Sequence, residues 1–237
     1  WGEMDNHEGK MTRTGTCLAV YSLEGQPGNS TYLKRISKNE EFNTDDVGYG
    51  STIWKDEDGH IYLYVTENNR PLVARTTTHD LTSEWEYYIR DLSGNFMWQK
   101  MYPTKEERTR STIMENNYVC SMPQIFKKGD YYYMIGQAVS YGHSVYLYRG
   151  ETPYGPFTDQ KILFNVPYAV DKIGNQYYKN LLRVNLHLEL AREGELVFST
   201  NTDPADGFGG NFNAVGSADF YRPYFYRVYN WEMLFKE

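Results

Sequence analysis

Two polar residues that could do acid–base chemistry alternate with three leucines near residue 188. His187 and Glu189 lie between Leu186, Leu188 and Leu190. Alternate side chains of a β-strand point to the same face, so this pattern predicts a strand that presents an imidazole beside a carboxylate. Such a pair could act as a general acid or base with a shifted pKa. A structural His–Glu pair in a polar channel would give the same pattern, and both interpretations stay open.

Two more polar segments lead into predicted strands in the same way. They are residues 45–54, which contain Asp46 and Tyr49, and residues 121–126. If the strands that follow are the inner strands of a ring of sheets, all three lead-ins begin beside its axis. Asp46 then becomes a candidate carboxylate, and Tyr49 a candidate for substrate binding.

A long connection separates two predicted strands between residues 91 and 120. Its best helical signal covers residues 104–114. Connections of this length inside a compact domain are uncommon and often bind ligands. We therefore expect Trp98, Tyr102 and Arg110 to line a pocket on the same face as His187. A decorative insertion is the alternative.

A second insertion, residues 203–222, is rich in glycine, asparagine and aspartate. It lacks the strand-then-helix context of a nucleotide fingerprint, so we do not expect dinucleotide binding. Its oxygen atoms could bind calcium, but ordinary turn chemistry explains the same residues. We therefore expect no cofactor and no metal. Arg222, at the end of the insertion, is a candidate for substrate binding.

Composition excludes several classes of function. The net charge of −7 argues against nucleic acid as a partner. No apolar run approaches the ~20 residues of a membrane span. The two cysteines, Cys17 and Cys120, lack metal-ligand spacing and are expected to be buried free thiols. Aromatic residues make up 16% of the chain and include 23 tyrosines. This content favours strands, and some aromatic side chains could instead stack under sugar rings.

The elements that would position these residues recur along the chain. An aromatic-rich strand after a charged or glycine turn, followed by a second strand, occurs at residues 58–76, 128–149 and 192–228. Residues 16–22 look like the second strand of an earlier copy, whose first strand we expect before residue 1. Strand pairs that repeat about every 60 residues predict an all-β fold made of propeller blades. Because a propeller is a closed ring, we expect one domain over residues 1–237.

The order of several motifs resembles one known family. The chain is similar to five-bladed β-propeller proteins that degrade glycans, first described as uncharacterised domains and including endo-D-arabinofuranosidases. More distantly, it resembles the arabinanase and β-xylosidase propellers. The matching motifs are Gly50-Ser-Thr-Ile-Trp before Ile61-Tyr-Leu-Tyr, Val73-Ala-Arg with Asp80-Leu and Trp85-Glu-Tyr-Tyr, Glu151-Thr-Pro-Tyr-Gly-Pro-Phe, and His187-Leu-Glu-Leu before Glu195-Leu-Val-Phe-Ser. The resemblance implies a five-bladed propeller, a polysaccharide or oligosaccharide ligand, a monomer, and an extracellular or periplasmic location.

Two functions from different classes follow. A glycoside hydrolase would use two carboxylates across the scissile bond. We expect Glu189 as one, with a pKa raised by burial, Asp46 or Asp5 as the other, and His187 to orient them. Asp5 enters because the family's early acidic motif appears here only near Trp1. A non-catalytic carbohydrate-binding module is the alternative, and a structural protein without a ligand is a weaker one.

Overall fold

The computed structural model divides the chain into two compact units, Trp1–Gly48 and Tyr49–Glu237. The expectation of a single domain stays a prediction. The residues that the structure describes are 2–7, 10–29, 32–43, 47–116, 118, 120–138, 142–167, 172–173, 176–177, 180–204, 215–216 and 221–236.

The first unit is one antiparallel sheet in the order β1-β2-β3. Its strands are β1 (Gly2–His7), β2 (Lys10–Leu23) and β3 (Leu33–Asn43). Gly2–His7 of β1 pairs with β2 from Thr16 to Lys10, and β3 pairs with β2 from Thr16 to Leu23. The expectation of a strand before residue 1 stays a prediction.

The second unit begins with a five-stranded antiparallel sheet in chain order. Asn68 and Asn69 join its second and third strands, both with positive φ. Asparagine tolerates this conformation, and two such residues make the tight hairpin that matches strand twist. The strands are β4 (Thr52–Lys55), β5 (Ile61–Glu67), β6 (Arg70–Thr76), β7 (Trp85–Arg90) and β8 (Phe96–Gln99).

The connection predicted between residues 91 and 120 contains a strand, β8, so its expected range is wrong in part. The part after β8, which we call the long connection, contains the short helix α1 (Lys105–Arg110), inside the predicted helical range 104–114. Thr104 and Glu107 together cap the N-terminus of this helix. The Glu107 backbone N–H donates to the Thr104 hydroxyl at 3.2 Å, and the Thr104 N–H donates to the Glu107 carboxylate at 2.8 Å. This capping box satisfies two backbone donors that the helix cannot bond itself.

The second sheet has four antiparallel strands in chain order. They are β9 (Ser121–Lys128), β10 (Tyr131–Gln137), β11 (Ser144–Gly150) and β12 (Thr158–Asn165). The turn before β12 needs a glycine at position 155. Gly155 has a φ of +77°, and a Cβ there would lie 2.6 Å from the Ile113 carbonyl oxygen. This close approach lets the long connection bond to Phe157, whose N–H donates to Ile113 at 2.8 Å.

The third sheet has three antiparallel strands and follows a two-stranded ribbon. Among the described residues, the 3-10 turn Leu188–Leu190 joins the first two strands of this sheet, and the 3-10 turn Trp231–Phe235 follows its last strand. The strands are β13 (Lys172–Ile173) and β14 (Gln176–Tyr177) of the ribbon, and β15 (Asn180–Leu186), β16 (Glu195–Asp203) and β17 (Tyr224–Tyr229) of the sheet.

The second sheet is packed on both faces. Alternation along β10 sends Tyr133 and Ile135 to a hydrophobic cluster shared with the third sheet. Tyr132 and Met134 enter a second cluster, shared with the first sheet. Sheets whose strands are buried on both faces show nearly continuous apolar sequence, which is why this segment reads Tyr-Tyr-Tyr-Met-Ile.

The three predicted strand pairs are confirmed as antiparallel pairs, β5–β6, β10–β11 and β16–β17, and the all-β fold is confirmed. The five-bladed ring stays a prediction. Cys17 and Cys120 are buried thiols that form no disulfide, as expected, and burial raises the pKa of the Cys120 thiol. None of the described helices is long and apolar enough to cross a membrane.

Candidate functional site

A cavity of about 370 Å³ opens where the first strands of the three sheets of the second unit meet. All three polar lead-ins that the sequence singled out contribute to its wall. The lining residues are Ser51, Thr52, Ile53, Gln124, Ile125, Leu186, Leu188 and Glu189. We call this space the inner-strand cavity.

Side-chain hydrogen bonds connect the three first strands at this cavity. The Thr52 hydroxyl of β4 donates to the Pro123 carbonyl of β9 at 2.6 Å. The Gln124 side chain of β9 accepts from the Leu186 N–H of β15 at 2.7 Å. Its amide group also donates to the Asn185 side chain at 3.4 Å. Gln124 and Thr52 therefore hold the cavity wall in place.

The expected strand through His187 and Glu189 is wrong. β15 ends at Leu186, and Leu188–Leu190 form a 3-10 turn that starts from His187. Leu188 and Leu190 are 43% and 45% exposed. The leucines therefore form no buried strand face, and their alternation came from a short surface turn.

The turn nevertheless brings the imidazole and the carboxylate together. His187 Nδ1 lies 3.2 Å from Glu189 Oε1, and His187 Nε2 lies 2.8 Å from the Ser199 hydroxyl oxygen. An ionised carboxylate can only accept, so the Nδ1–H donates to Glu189. In the neutral imidazole, Nε2 then accepts from Ser199. The buried Ser199 thus fixes the ring that orients Glu189.

The pKa of the Glu189 carboxyl is lowered, not raised as expected. A hydrogen bond from its own backbone N–H is the main cause, and the hydrogen bond from His187 is the next. Its side chain is 69% exposed, so burial does little to favour the protonated form. At neutral pH, Glu189 is therefore an ionised carboxylate suited to act as a base or nucleophile.

The described residues that line the cavity do not include a second carboxylate. Asp46 lies outside the described residues, and Asp5 lies in β1 of the first unit. Within the described part of the chain, Glu189 is the one acidic residue that lines the inner-strand cavity. The roles expected of Asp46 and Asp5 stay predictions.

The expected aromatic wall is divided between two faces of the first sheet. Trp98 pairs with Tyr88 in the ladder, and their rings are 4.7 Å apart. Tyr102 packs against Tyr87 at 5.3 Å and Tyr49 at 6.3 Å. Because Tyr87 and Tyr88 are neighbours in β7, their side chains point to opposite faces. Trp98 and Tyr102 therefore do not share a pocket wall, and neither lines the inner-strand cavity.

The remaining candidates also lie elsewhere. Tyr49 is only 5% exposed, and burial raises its pKa well above the usual range. Its hydroxyl is therefore poorly placed to bind a substrate. Arg222 is exposed, with its guanidinium 5.4 Å from the Tyr224 ring centroid. Arg110 lines a different cavity, beside Arg90.

The long connection crosses the β5–β6 turn. The Ile113 N–H donates to Pro71, and the Cys120 N–H donates to Asn69. β4 begins at this same end of the sheet, where the Gly50 N–H donates to Tyr64. The connection thus lies at the end of the first sheet that contributes Ser51 and Thr52 to the cavity.

The sequence patterns identified the segments of the site but not two residues whose hydrogen bonds hold it in place. Gln124 lay in a segment that we singled out, yet nothing in its spacing showed that it would bond to β15. Ser199 gave no signal, because it lies in an apolar strand. Among the described residues, no group of three or more His, Cys, Asp or Glu side chains could hold a metal ion. Most of the glycine-rich segment considered for calcium lies outside those residues.

Comparison with known proteins gives a family match and similar solved structures. The family model "Domain of unknown function (DUF5005)" matches residues 1–231. The chain is similar to the crystal structure of "a putative hydrolase from Bacteroides ovatus ATCC 8483", with 56% identity and a TM-score of 0.91. The match covers 99% of this chain and 58% of that one. No curated protein matches this chain.

Two other solved structures are similar only at a low level. The endo-arabinase from Bacteroides thetaiotaomicron VPI-5482 is 15% identical, with a TM-score of 0.34 over 65% of this chain and 49% of that one. The xylan β-1,4-xylosidase from Bacillus halodurans C-125 is 12% identical, with a TM-score of 0.28 over 81% of this chain and 47% of that one.

Proposed function

We propose that this chain is part of a glycoside hydrolase that cleaves a furanose-containing polysaccharide such as an arabinan. The chain belongs to the family described as "Domain of unknown function (DUF5005)". The Bacteroides ovatus protein described as "a putative hydrolase" is 56% identical to this chain over the aligned part and supports the reaction class. This chain spans 58% of that protein. The activity of a whole enzyme is therefore part of the proposal, as are a five-bladed ring, a monomer and a location outside the cytoplasm.

The ionised Glu189 carboxylate at the inner-strand cavity carries the proposal. In glycoside hydrolysis, one carboxylate activates water or attacks the anomeric carbon, while a second group protonates the leaving oxygen. Glu189 has the lowered pKa that the first role needs at neutral pH. His187 holds it from one side, and Ser199 holds the His187 ring. A fixed carboxylate loses less conformational freedom when the substrate binds.

The wall of the cavity suits a sugar ring. The hydroxyl protons of Ser51 and Thr52 are donated to the Tyr64 and Pro123 carbonyls, so these oxygens can accept hydrogen bonds from sugar hydroxyls, and the Gln124 amide keeps a second N–H that can donate. Ile53, Ile125 and other apolar side chains supply a surface for ring C–H groups. A volume of about 370 Å³ is within the usual range of small-molecule sites. The cavity therefore has room for a short stretch of glycan.

A carbohydrate-binding module is the second candidate, and one observation favours it. Glu189 is the only carboxylate among the described residues that line the cavity, whereas hydrolysis needs a proton donor on the other side of the bond. Under the hydrolase proposal, Asp46 or Asp5 supplies that donor. Under the binding proposal, no donor is needed, and Glu189 accepts hydrogen bonds from sugar hydroxyls.

Glu189→Gln tests the two candidates. The amide keeps the shape of the side chain but cannot act as a base. We expect arabinan hydrolysis, measured by the release of reducing ends, to fall roughly a hundredfold or more. Glu193→Gln is the matched control, because Glu193 is an exposed carboxylate in the same segment that does not line the cavity. It should leave turnover unchanged.

The outcomes separate the proposals. Equal hydrolysis by the protein and by Glu189→Gln would exclude Glu189 as base or nucleophile. Binding of arabino-oligosaccharides without hydrolysis by either form would favour the binding module. Neither binding nor hydrolysis of any furanose-containing glycan would overturn both.

A further inference from the structure

A second cavity, of about 460 Å³, lies between the long connection and the turn before β12. Three arginines that are distant in sequence meet at its wall. Arg70 begins β6, Arg90 ends β7, and Arg110 ends α1. We call this space the arginine cavity. It lies wholly within the second unit and shares no lining residue with the inner-strand cavity.

Contacts with carbonyl oxygens and an aromatic ring hold two of these arginines in place. Arg90 Nε donates to the Gly94 carbonyl at 3.0 Å, and its guanidinium lies 5.5 Å from the Phe96 ring centroid. Arg110 Nε donates to the Arg90 carbonyl at 2.6 Å. Each guanidinium has five N–H donors in a fixed fork. One donor of each positions the side chain, and most of the others stay available to a ligand.

The charge of these arginines is poorly compensated. Elsewhere in the described residues, Arg75, Arg108, Arg149 and Arg227 each lie within 3.0 Å of a carboxylate oxygen. The closest such contact in the arginine cavity is 3.9 Å, from Arg110 to Glu107.

Arg70 is half-buried, and among the described residues it has no ion pair or hydrogen bond from its guanidinium. Glu115 is the single carboxylate in the cavity wall. Three positive charges face one negative charge, on a chain whose net charge is −7. This concentration of unpaired or weakly paired guanidinium groups favours a bound anion.

We propose that the arginine cavity binds an anionic group, a carboxylate or a sulfate ester, carried by a glycan chain. Guanidinium groups bind carboxylate and sulfate oxygens with two parallel hydrogen bonds. Phe96 and Pro156, also in the wall, provide apolar surface for the sugar ring that carries the anion. The choice of a glycan rests on the proposed function, whereas the preference for an anion rests on the arginines alone.

The binding of defined oligosaccharides to the protein, measured by calorimetry at low and high salt, tests this proposal. The probes are trigalacturonate, its neutral methyl ester, and a sulfated dextran oligosaccharide. We expect trigalacturonate or the sulfated probe to bind and the ester to bind more weakly. Affinity should fall as salt rises, because exposed charges are screened. Whichever anionic probe binds more tightly identifies the source of the anion.

Two substitutions with opposite expected effects assign the binding to this cavity. Arg70→Gln removes a donor that stabilises no described neighbour, and it should weaken anionic binding about tenfold, the usual worth of a hydrogen bond to a charged group. Glu115→Gln removes the competing negative charge and should strengthen binding roughly twofold to fivefold. Lys105→Gln is the control, because it removes one positive charge from α1 outside the cavity.

The proposal would be overturned if each anionic probe bound the unsubstituted protein, Arg70→Gln and Lys105→Gln with the same affinity. It would also be overturned if neither anionic probe bound the unsubstituted protein. Its failure is distinguishable from that of the proposed function. If neutral arabino-oligosaccharides bind or react at Glu189 but the binding of the anionic probes does not respond to Arg70→Gln, only the proposal for the arginine cavity fails. If anion binding depends on Arg70 but neither activity nor glycan binding depends on Glu189, only the function proposed for the inner-strand cavity fails.

Discussion

At the scale of single residues, the pKa of Glu189 depends on two hydrogen bonds and not on burial. Its backbone N–H and the His187 imidazole both stabilise the charged carboxylate. A carboxyl that accepts such bonds stays ionised to lower pH than a free glutamate. The site is therefore built to keep a negative charge at the cavity mouth, which suits a base better than an acid.

Replacing His187 should move the titration of Glu189 in a defined direction. In His187→Ala, the carboxylate loses one donor, so its pKa should rise toward the ordinary glutamate value, while the backbone bond keeps it from rising fully. The acidic limb of kcat/KM falls as pH drops through this pKa, so it should shift to higher pH. A ¹³C NMR titration of the Glu189 carboxyl measures the same shift without substrate.

Two variants control this measurement. His187→Gln can still donate a hydrogen bond and should restore part of the lowered pKa. His79→Ala removes an imidazole that bonds to the Asp56 carbonyl in the first sheet and should leave Glu189 unchanged. An unaltered Glu189 titration in His187→Ala would contradict the assigned hydrogen bond.

At the scale of elements, local patterns predicted the strands better than the turns. Aromatic strands with charged turns identified β5, β10 and β16, because alternation and turn residues act within a few positions. The Leu188–Leu190 turn was missed because its leucines alternate as they would in a strand. The separation of Trp98 from Tyr102 was also hidden, since it depends on which face of β7 each ring meets. The partners of Gln124 and Ser199 follow only from long-range packing.

The element that positions the arginine cavity depends on one buried ion pair. Arg108 of α1 is only 3% exposed at its side chain, and its Nε and Nη2 atoms lie 3.0 and 3.2 Å from the two carboxylate oxygens of Glu67. Its Nη1 donates to the Pro103 carbonyl at 3.0 Å. α1 has only six residues and would be unstable alone. This contact ties it to the β5–β6 turn.

Glu67→Gln should destabilise the protein by about 3–5 kcal/mol, because it removes the carboxylate that makes two hydrogen bonds with the buried Arg108 guanidinium. Urea unfolding measures the loss, and amide exchange should accelerate in α1 before the rest of the second unit. Glu57→Gln breaks an exposed pair with Lys127, in which the Glu57 side chain is 90% exposed, and should cost at most about 1 kcal/mol. If the two variants lose equal stability, Arg108 does not depend on Glu67.

At the scale of the whole second unit, β10 connects the two hydrophobic clusters. Met134 and Ile135 are adjacent in sequence and fully buried, yet they enter clusters on opposite faces of the same sheet. The first sheet packs against one cluster and the third sheet against the other. Because both clusters contain side chains of β10, a loss of packing on either face of the second sheet weakens the sheet that supports the cluster on the opposite face. The three first strands that form the inner-strand cavity should therefore be lost together.

Met134→Ala and Ile135→Ala should each lower the free energy of unfolding by about 2–5 kcal/mol, the usual cost of truncating a fully buried side chain. Native-state hydrogen exchange should show that each substitution lowers protection in β5 and β16 alike, although Met134 faces the first sheet and Ile135 the third. Ile162→Ala removes the same atoms as Ile135→Ala from a side chain that is 53% exposed and should cost much less. If Met134→Ala lowered protection in β5 but left β16 unchanged, the two clusters would unfold independently, and the inner-strand cavity could lose one wall while keeping the others.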